Sequence, residues 1–282
     1  MGVRIIVPAY RAATDLGACL ASLERTIANR VPVLVADDAS PGDEVGAIVR
    51  AFVARGRLDL RHVRRERNLG FVGNVNLALR ETAPDDVVLL NSDTVTSAGW
   101  LDRLRNCAAS DARIATITPW SNNAEICSFP DFCRSAPLPD DIDALAQAAA
   151  QDAPEYPDLP TGVGFCLYLR RAALQAIGDL DQATFGRGYG EENDFCLRAE
   201  AHGWRNVLCD DAYVAHRGGA SFAAEGLAPG GENLARLNAR YPGYNALIAE
   251  FIMRDPLQQL RHRFGERLRT VRNTPAQHKL FN

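Results

Sequence analysis

The chain has 282 residues, enough for one large α/β domain or two small ones with an ample core. Hydrophobic residues make up 47% and charged residues 23%, and a formal charge of −4 argues against a nucleic-acid partner. No apolar run approaches the roughly 18 residues of a membrane-spanning helix, and seven scattered cysteines without a C-x-x-C pattern argue against a zinc site. Reduced, mostly buried thiols in a cytoplasmic protein are the expectation. "MGVRIIVPAY" enters a strand at once and lacks a signal-peptide pattern.

Val3–Val7 is an apolar run halted by Pro8, as in a buried strand. Thr14 is expected to cap a helix with Leu16, Cys19, Leu20, Leu23 and Ile27 on one face. "VPVLVADD" predicts a second strand, and Val45 to Val53 a helix ended by Gly56. A strand over Leu58–Val63, a helix over Val72–Thr82 and a buried strand in "DVVLLNSD" follow. The alternation predicts a mainly parallel sheet flanked by helices. The polar stretches "PAYR", "DDAS" and "NSDT" fall at strand ends, where ligands bind in such sheets.

The second half is less regular. "RSAPLPDDIDALAQAAAQDAPEYPDLP" predicts a loop around one helix, capped by Asp140. "GFCLYLR" predicts a strand, "RAALQAIG" a helix closed by Gly178, and "NVLCDDAYVAH" another strand. "DPLQQLRHRFGERLRTVRN" places Leu257, Leu260, Phe264 and Leu268 at helical spacing among arginines. That helix either packs its apolar stripe on the body, the favoured reading, or lies on an anionic membrane. "TPAQHKLFN" is expected to fray.

Several stretches carry chemistry. Asp93, just past a buried strand, is either a turn residue or a carboxylate for a divalent cation bridging diphosphate oxygens. Asp37 or Asp38 can accept hydrogen bonds from a base or ribose, or cap a helix. Tyr10 can stack on a base. Gly70 and Gly73 let backbone approach a ligand, with Asn68, Asn74 and Asn76 nearby. His216 can complete a metal site or be structural. "GRGYGEENDFCLRA" crowds Glu191, Glu192 and Asp194 after three glycines, where acids either cap a helix or perform proton chemistry.

In series, "IIVPAY", "VADDAS", "RNLGFVGNVNLAL", "VVLLNSDT", "TGVGFCLYLRRAAL", "GYGEENDFCLRAEAHGW" and "AYVAHRGGASF" resemble the family 2 glycosyltransferases, over roughly Val3 to Phe222. "TPWSNNAEICSFP" resembles the subgroup linked to bacterial O-antigen and other surface polysaccharides. The resemblance implies a GT-A (Rossmann-like) fold and inverting transfer from a nucleotide-diphospho-sugar, dTDP- or UDP-linked, to a saccharide or lipid-linked acceptor. It implies a catalytic domain over 1–222, with a nucleotide-sugar-binding half (1–98) and an acceptor half (99–222), and a helical extension over 223–282. Pro8, Tyr10, Asp38, Asn68, Gly70, Asn91 and Ser92 would bind the donor. Asp93 and His216 would hold Mg²⁺ or Mn²⁺, with Ser92 standing where the family commonly has Asp. Glu192 would be the base, with Glu191 as alternative. A cytoplasmic location, with peripheral contact at the inner face of the membrane, fits such an acceptor.

Two rivals stand beside it. A nucleotidyltransferase would want a glycine-rich loop with a basic residue near the N-terminus; "VPAYRAATDLG" offers only Arg11. A non-catalytic nucleotide-sugar-binding module would bind the donor without turnover.

Overall fold

The structure, a computed structural model, describes residues 2–28, 30–218 and 231–274. Its eight strands are β1 (Val3–Ala9), β2 (Pro32–Asp37), β3 (Asp59–Arg64), β4 (Asp86–Leu90), β5 (Thr94–Thr96), β6 (Ile114–Trp120), β7 (Cys166–Leu169) and β8 (Arg205–His216). They form one sheet in the order β3-β2-β1-β4-β7-β6-β8-β5. Strands β3, β2, β1 and β4 are parallel. β7 runs antiparallel between β4 and β6, β6 and β8 are parallel, and β5 closes the edge antiparallel to β8. The sheet is therefore mainly parallel, as expected, with the reversals confined to its second half.

Strand residues alternate between two cores, as a pleated sheet demands. Ile5 and Val7 face one core and Ile6 the other. The first core takes α1 (Ala13–Thr26), α2 (Glu44–Arg55), α4 (Trp100–Ser110), α5 (Ile142–Ala149) and the C-terminal α11 (Gln258–Asn273). The second takes α3 (Gly70–Glu81), α6 (Arg171–Ile177), α8 (Glu191–Ala201) and Leu237 of α9 (Glu232–Arg240), with the short α7 (Gln182–Phe185) contributing Phe185. α10 (Tyr244–Arg254) joins α9 to α11.

Three expectations are corrected. Thr14 does not cap α1: Arg11 and Ala12 both take left-handed φ (58° and 47°), which turns the chain into a helix starting at Ala13. Asp140 does not cap α5; Asp141 occupies that position, without a side-chain cap bond. Between "NSDT" and the irregular second half, where no element was expected, lie α4 and β6, a wholly buried strand.

α11 packs as the favoured reading has it. Phe264 stacks on Phe129 (centroids 3.8 Å apart) and lies near Trp120 and Tyr213. Four of its arginines are engaged by acids: Arg263 with Glu155, Arg267 with Asp152, Arg272 with Asp141 (2.6 Å) and Arg261 with Asp255. The seven cysteines are unpaired, and six are buried. Among the described residues no helix is long and apolar enough to cross a membrane. The "TPAQHKLFN" expectation falls, after Thr274, outside the described residues, as do Gly219 to Phe222 of the "AYVAHRGGASF" stretch.

Candidate active site

The strands bring polar residues to a single cleft of about 310 Å³. Pro8, Ala9 and Tyr10 come from the end of β1, Asp38 from the end of β2, Asn91 to Asp93 from the end of β4 and His216 from the end of β8. Val163 to Phe165 enter from the approach to β7, and Glu191 and Glu192 from the start of α8. Asp93 and Glu192, 99 positions apart by subtraction of their numbers, line one cavity.

On the β1–β2 side, Asp38 is buried and its Oδ1 accepts the Leu69 N–H at 2.8 Å. Two expected donor contacts sit behind this wall rather than on it. Asn68 donates its amide to the Asp38 carbonyl (3.4 Å) and accepts from Gly70 N (3.2 Å) and Arg187 (3.2 Å), which consumes it in the loop. Gly70 has φ +74°, and a Cβ there would lie 3.2 Å from the Arg187 Cα. Both residues thus pack one loop on another, and neither lines the cleft. Asn74 does line the cleft, but its amide is engaged in the protein, donating to the Ala36 carbonyl at 2.8 Å and accepting from Arg65 at 2.8 Å. Asp37, the alternative to Asp38, is outside the lining; its carboxylate accepts Ser40 N at 2.9 Å.

In the centre, the β5–β8 register pairs Thr94 with His216 and so sets the imidazole beside Asp93. His216 Nε2 lies 3.4 Å from Asp93 Oδ1. His216 Nδ1 lies 2.8 Å from the Asn123 carbonyl, which can only accept, so in the neutral ring the proton sits on Nδ1 and the Nε2 lone pair points toward Asp93. Phe165 stacks on the ring at 5.2 Å and is tied to β4 by the 2.8 Å bond from Asn91 N to its carbonyl. A carboxylate oxygen and an imidazole nitrogen at this spacing suit Mg²⁺ or Mn²⁺. Among the described residues no group of three or more His, Cys, Asp or Glu side chains could hold an ion.

On the far side, Tyr189 and the glycines Gly186, Gly188 and Gly190 all have positive φ, folding the chain sharply into α8. At Gly190 a Cβ would strike the Phe185 ring at 3.1 Å. Glu191 is 4% exposed. The Glu192 stem is part-exposed, and its carboxyl lies against Gly164. The Oε2 atoms of both are shut off from solvent without a hydrogen-bond partner. Burial pushes the Glu191 carboxyl well above the usual range, and the Glu192 charge adds to this. Burial also raises Glu192, less so because backbone N–H groups and a hydrogen bond from Glu191 favour its ionised form. Burial thus raises both carboxyls, and the proton they hold more tightly belongs to the pair.

Asp194 has a different task. Fully buried, it binds Arg198 (2.8 Å), Arg240 (2.8 Å) and the Tyr241 hydroxyl (2.8 Å). Asn233 holds the preceding loop through the carbonyls of Phe185 (2.8 Å) and Gly188 (2.6 Å). The C-terminal helices therefore brace the turn that carries the glutamates.

Sequence reasoning missed Asn123, Glu125, Gly164 and Tyr189, which all line the cleft. Only "SNNAE", five polar or small residues after a buried strand, signalled the first two.

The profile of glycosyl transferase family 2 matches residues 4–178. Uncharacterised proteins of Mycobacterium bovis and Mycobacterium tuberculosis are 28% identical over 155 residues, covering 54% of this chain and 55% of theirs. The chain thus spans about half the length of the curated relatives it matches. Among solved structures, GalNAc-T7 with UDP, GalNAc and Mn²⁺ superposes with a TM-score of 0.61 at 12% identity, over 77% of this chain and 44% of that one. A mannosyltransferase of Pyrobaculum calidifontis with GDP-Man and Mn²⁺ gives 0.56 at 17%, over 96% and 85%. Staphylococcus aureus TarS with UDP-GlcNAc gives 0.54 at 18%, over 78% and 60%. The fold is the GT-A fold of these enzymes, and the chain belongs to glycosyl transferase family 2.

Proposed function

We propose that the protein is an inverting, metal-dependent transferase. It moves a sugar from a nucleotide diphosphate to a hydroxyl of a saccharide or lipid-linked acceptor, in bacterial surface-polysaccharide synthesis on the cytoplasmic side of the membrane. The observation that carries this reading is the sharing of one cleft by the Asp93–His216 pair and the Glu191–Glu192 pair. The bases bound by the structural neighbours include uracil and guanine nucleotides; dTDP-rhamnose or a UDP-hexose is the preferred donor here.

Tyr10 stacks on the base and Asp38, with Pro8, Asn91 and Ser92 beside it, receives the nucleoside. Asp93 and His216 hold Mg²⁺ or Mn²⁺, which when bound offsets the charge growing on the leaving diphosphate. Glu192 accepts the proton of the acceptor hydroxyl as its oxygen bonds to the anomeric carbon. The bond from that carbon to the diphosphate oxygen breaks on the opposite face, and its electron pair leaves with the nucleotide. Glu191, protonated, donates to Glu192 and keeps it oriented. The domain division at residue 222 remains part of this proposal.

A panel of nucleotide sugars, screened by thermal shift with and without Mn²⁺ and then assayed for product, tests the reading. The donor raises the melting temperature in proportion to the logarithm of its concentration over Kd, only with Mn²⁺. Pyrophosphate release from a nucleoside triphosphate and a sugar phosphate would favour the nucleotidyltransferase instead.

A further inference from the structure

Glu125 lines the cleft yet has no part in the roles above. It begins a short 3₁₀ turn (Glu125–Cys127) in the loop after β6. Its φ is +47°, a left-handed conformation that costs any residue with a Cβ. The loop enforces that conformation. The Glu125 carbonyl accepts both Ser128 N (3.0 Å) and Cys133 N (3.2 Å). Asn122 ties the loop to the Ala136 carbonyl (2.7 Å) and to the His216 carbonyl (2.9 Å), and Ser128 Oγ takes Ala124 N (3.0 Å). One loop thus seats the metal-site histidine through Asn123 and turns Glu125 into the cavity.

The carboxylate it presents has no hydrogen bond or ion pair among the described residues. The residue as a whole opens to the cleft, but protein atoms crowd the carboxyl enough for desolvation to raise it, and its charge is felt at Glu192, Tyr189 and Tyr244. It therefore stands on the side of the proposed base. A carboxylate that opens to the cleft without a protein partner can take its donors from a ligand. A diphosphate has the wrong charge. Hydroxyls of a sugar have the right chemistry, since two carboxylate oxygens can accept from two neighbouring O–H groups.

We infer that Glu125 is a specificity-determining residue of the acceptor subsite. Its carboxylate accepts hydrogen bonds from the acceptor-sugar hydroxyls adjacent to the reacting one, which holds the reacting hydroxyl at Glu192. The inference rests on the transferase reading.

The test compares wild type with Glu125→Gln, which keeps shape and removes charge, and Glu125→Asn, whose side chain tolerates left-handed backbone. Transfer to p-nitrophenyl glycosides is assayed with the donor found by thermal shift, alongside Mn²⁺-dependent UDP binding. Both variants should raise the acceptor KM by roughly 10- to 100-fold, the loss expected for hydrogen bonds to a charged group, with kcat and donor KM within about twofold. An unchanged acceptor KM in both variants overturns the inference. So does a rise confined to the donor KM, which would put Glu125 on the donor sugar. A wild-type chain that binds no UDP with Mn²⁺ and transfers from no nucleotide sugar removes the transferase reading, and the inference with it.

Discussion

The two sides of the cleft are built differently. On the β1–β2 side, the polar groups are tied into the protein: Asp38 to Leu69 N, Asn68 to the Asp38 carbonyl and to Arg187, Asn74 to Ala36 and Arg65. On the α8 side, Glu191 and Glu192 each keep a buried oxygen without a partner, and the exposed Glu125 faces the same cleft. A wall with internal hydrogen bonds is rigid before a ligand arrives, which suits a site that must recognise the same nucleotide at every turnover. Carboxyls left unsatisfied cost stability but stay available for proton transfer and for hydroxyls.

The contrast can be broken at its edges. Asp93→Ala should weaken Mn²⁺-dependent UDP binding by roughly 100-fold or more, beyond the loss typical of a supporting residue; isothermal titration of UDP at fixed Mn²⁺ measures it. Asp194→Ala removes the buried anion between Arg198, Arg240 and Tyr241. It should cost about 3 kcal/mol in urea unfolding, at the low end for a broken buried pair because the two arginines are part-exposed. The glutamate pair sharpens the comparison through pH. Because Glu192 must be ionised to act and is raised by burial, the acid limb of kcat/KM should lie above the ordinary carboxylate range. Glu191→Leu removes a hydrogen bond that favours ionised Glu192, so the limb should move to higher pH, whereas Glu191→Gln keeps a donor and should leave it nearly in place. Stability follows the opposite logic. A carboxyl raised above its unfolded value contributes most below that value and loses its contribution as pH rises through the folded one. Glu191→Gln should therefore gain melting temperature over wild type as pH increases, read by calorimetry. The smallest effect is expected at Arg272→Ala, whose exposed pairing with Asp141 should be worth no more than about 1 kcal/mol.

Most of the β1–β2 side of the cleft was legible in the sequence. Apolar runs such as "RIIV" and "VVLL" end in polar residues, and a parallel sheet gathers such ends along one edge. That rule brought Tyr10, Asp38 and Asp93 to the cleft, whereas Asn68 and Gly70 lie in the loop beside it, since amides and glycines serve loop packing as readily as ligands. The α8 side was harder. β6 is buried on both faces and carries no alternation, so "IATITPW" gave no strand period. Glu125 depends on a left-handed turn fixed by hydrogen bonds to Ser128 and Cys133, a tertiary arrangement that residue types alone do not encode. The roles of Glu191 and Asp194, three positions apart, look alike in sequence. Only the partners of Asp194 on α9 and just beyond it separate a brace from a proton-handling group.

The most direct test of the shared cleft is transfer by Glu192→Gln, measured beside its Mn²⁺-dependent UDP affinity. Removal of the base should cut transfer by roughly 100-fold or more while the affinity stays at the wild-type value. Wild-type transfer by this variant would contradict the assignment of Glu192 as the group that takes the acceptor's proton.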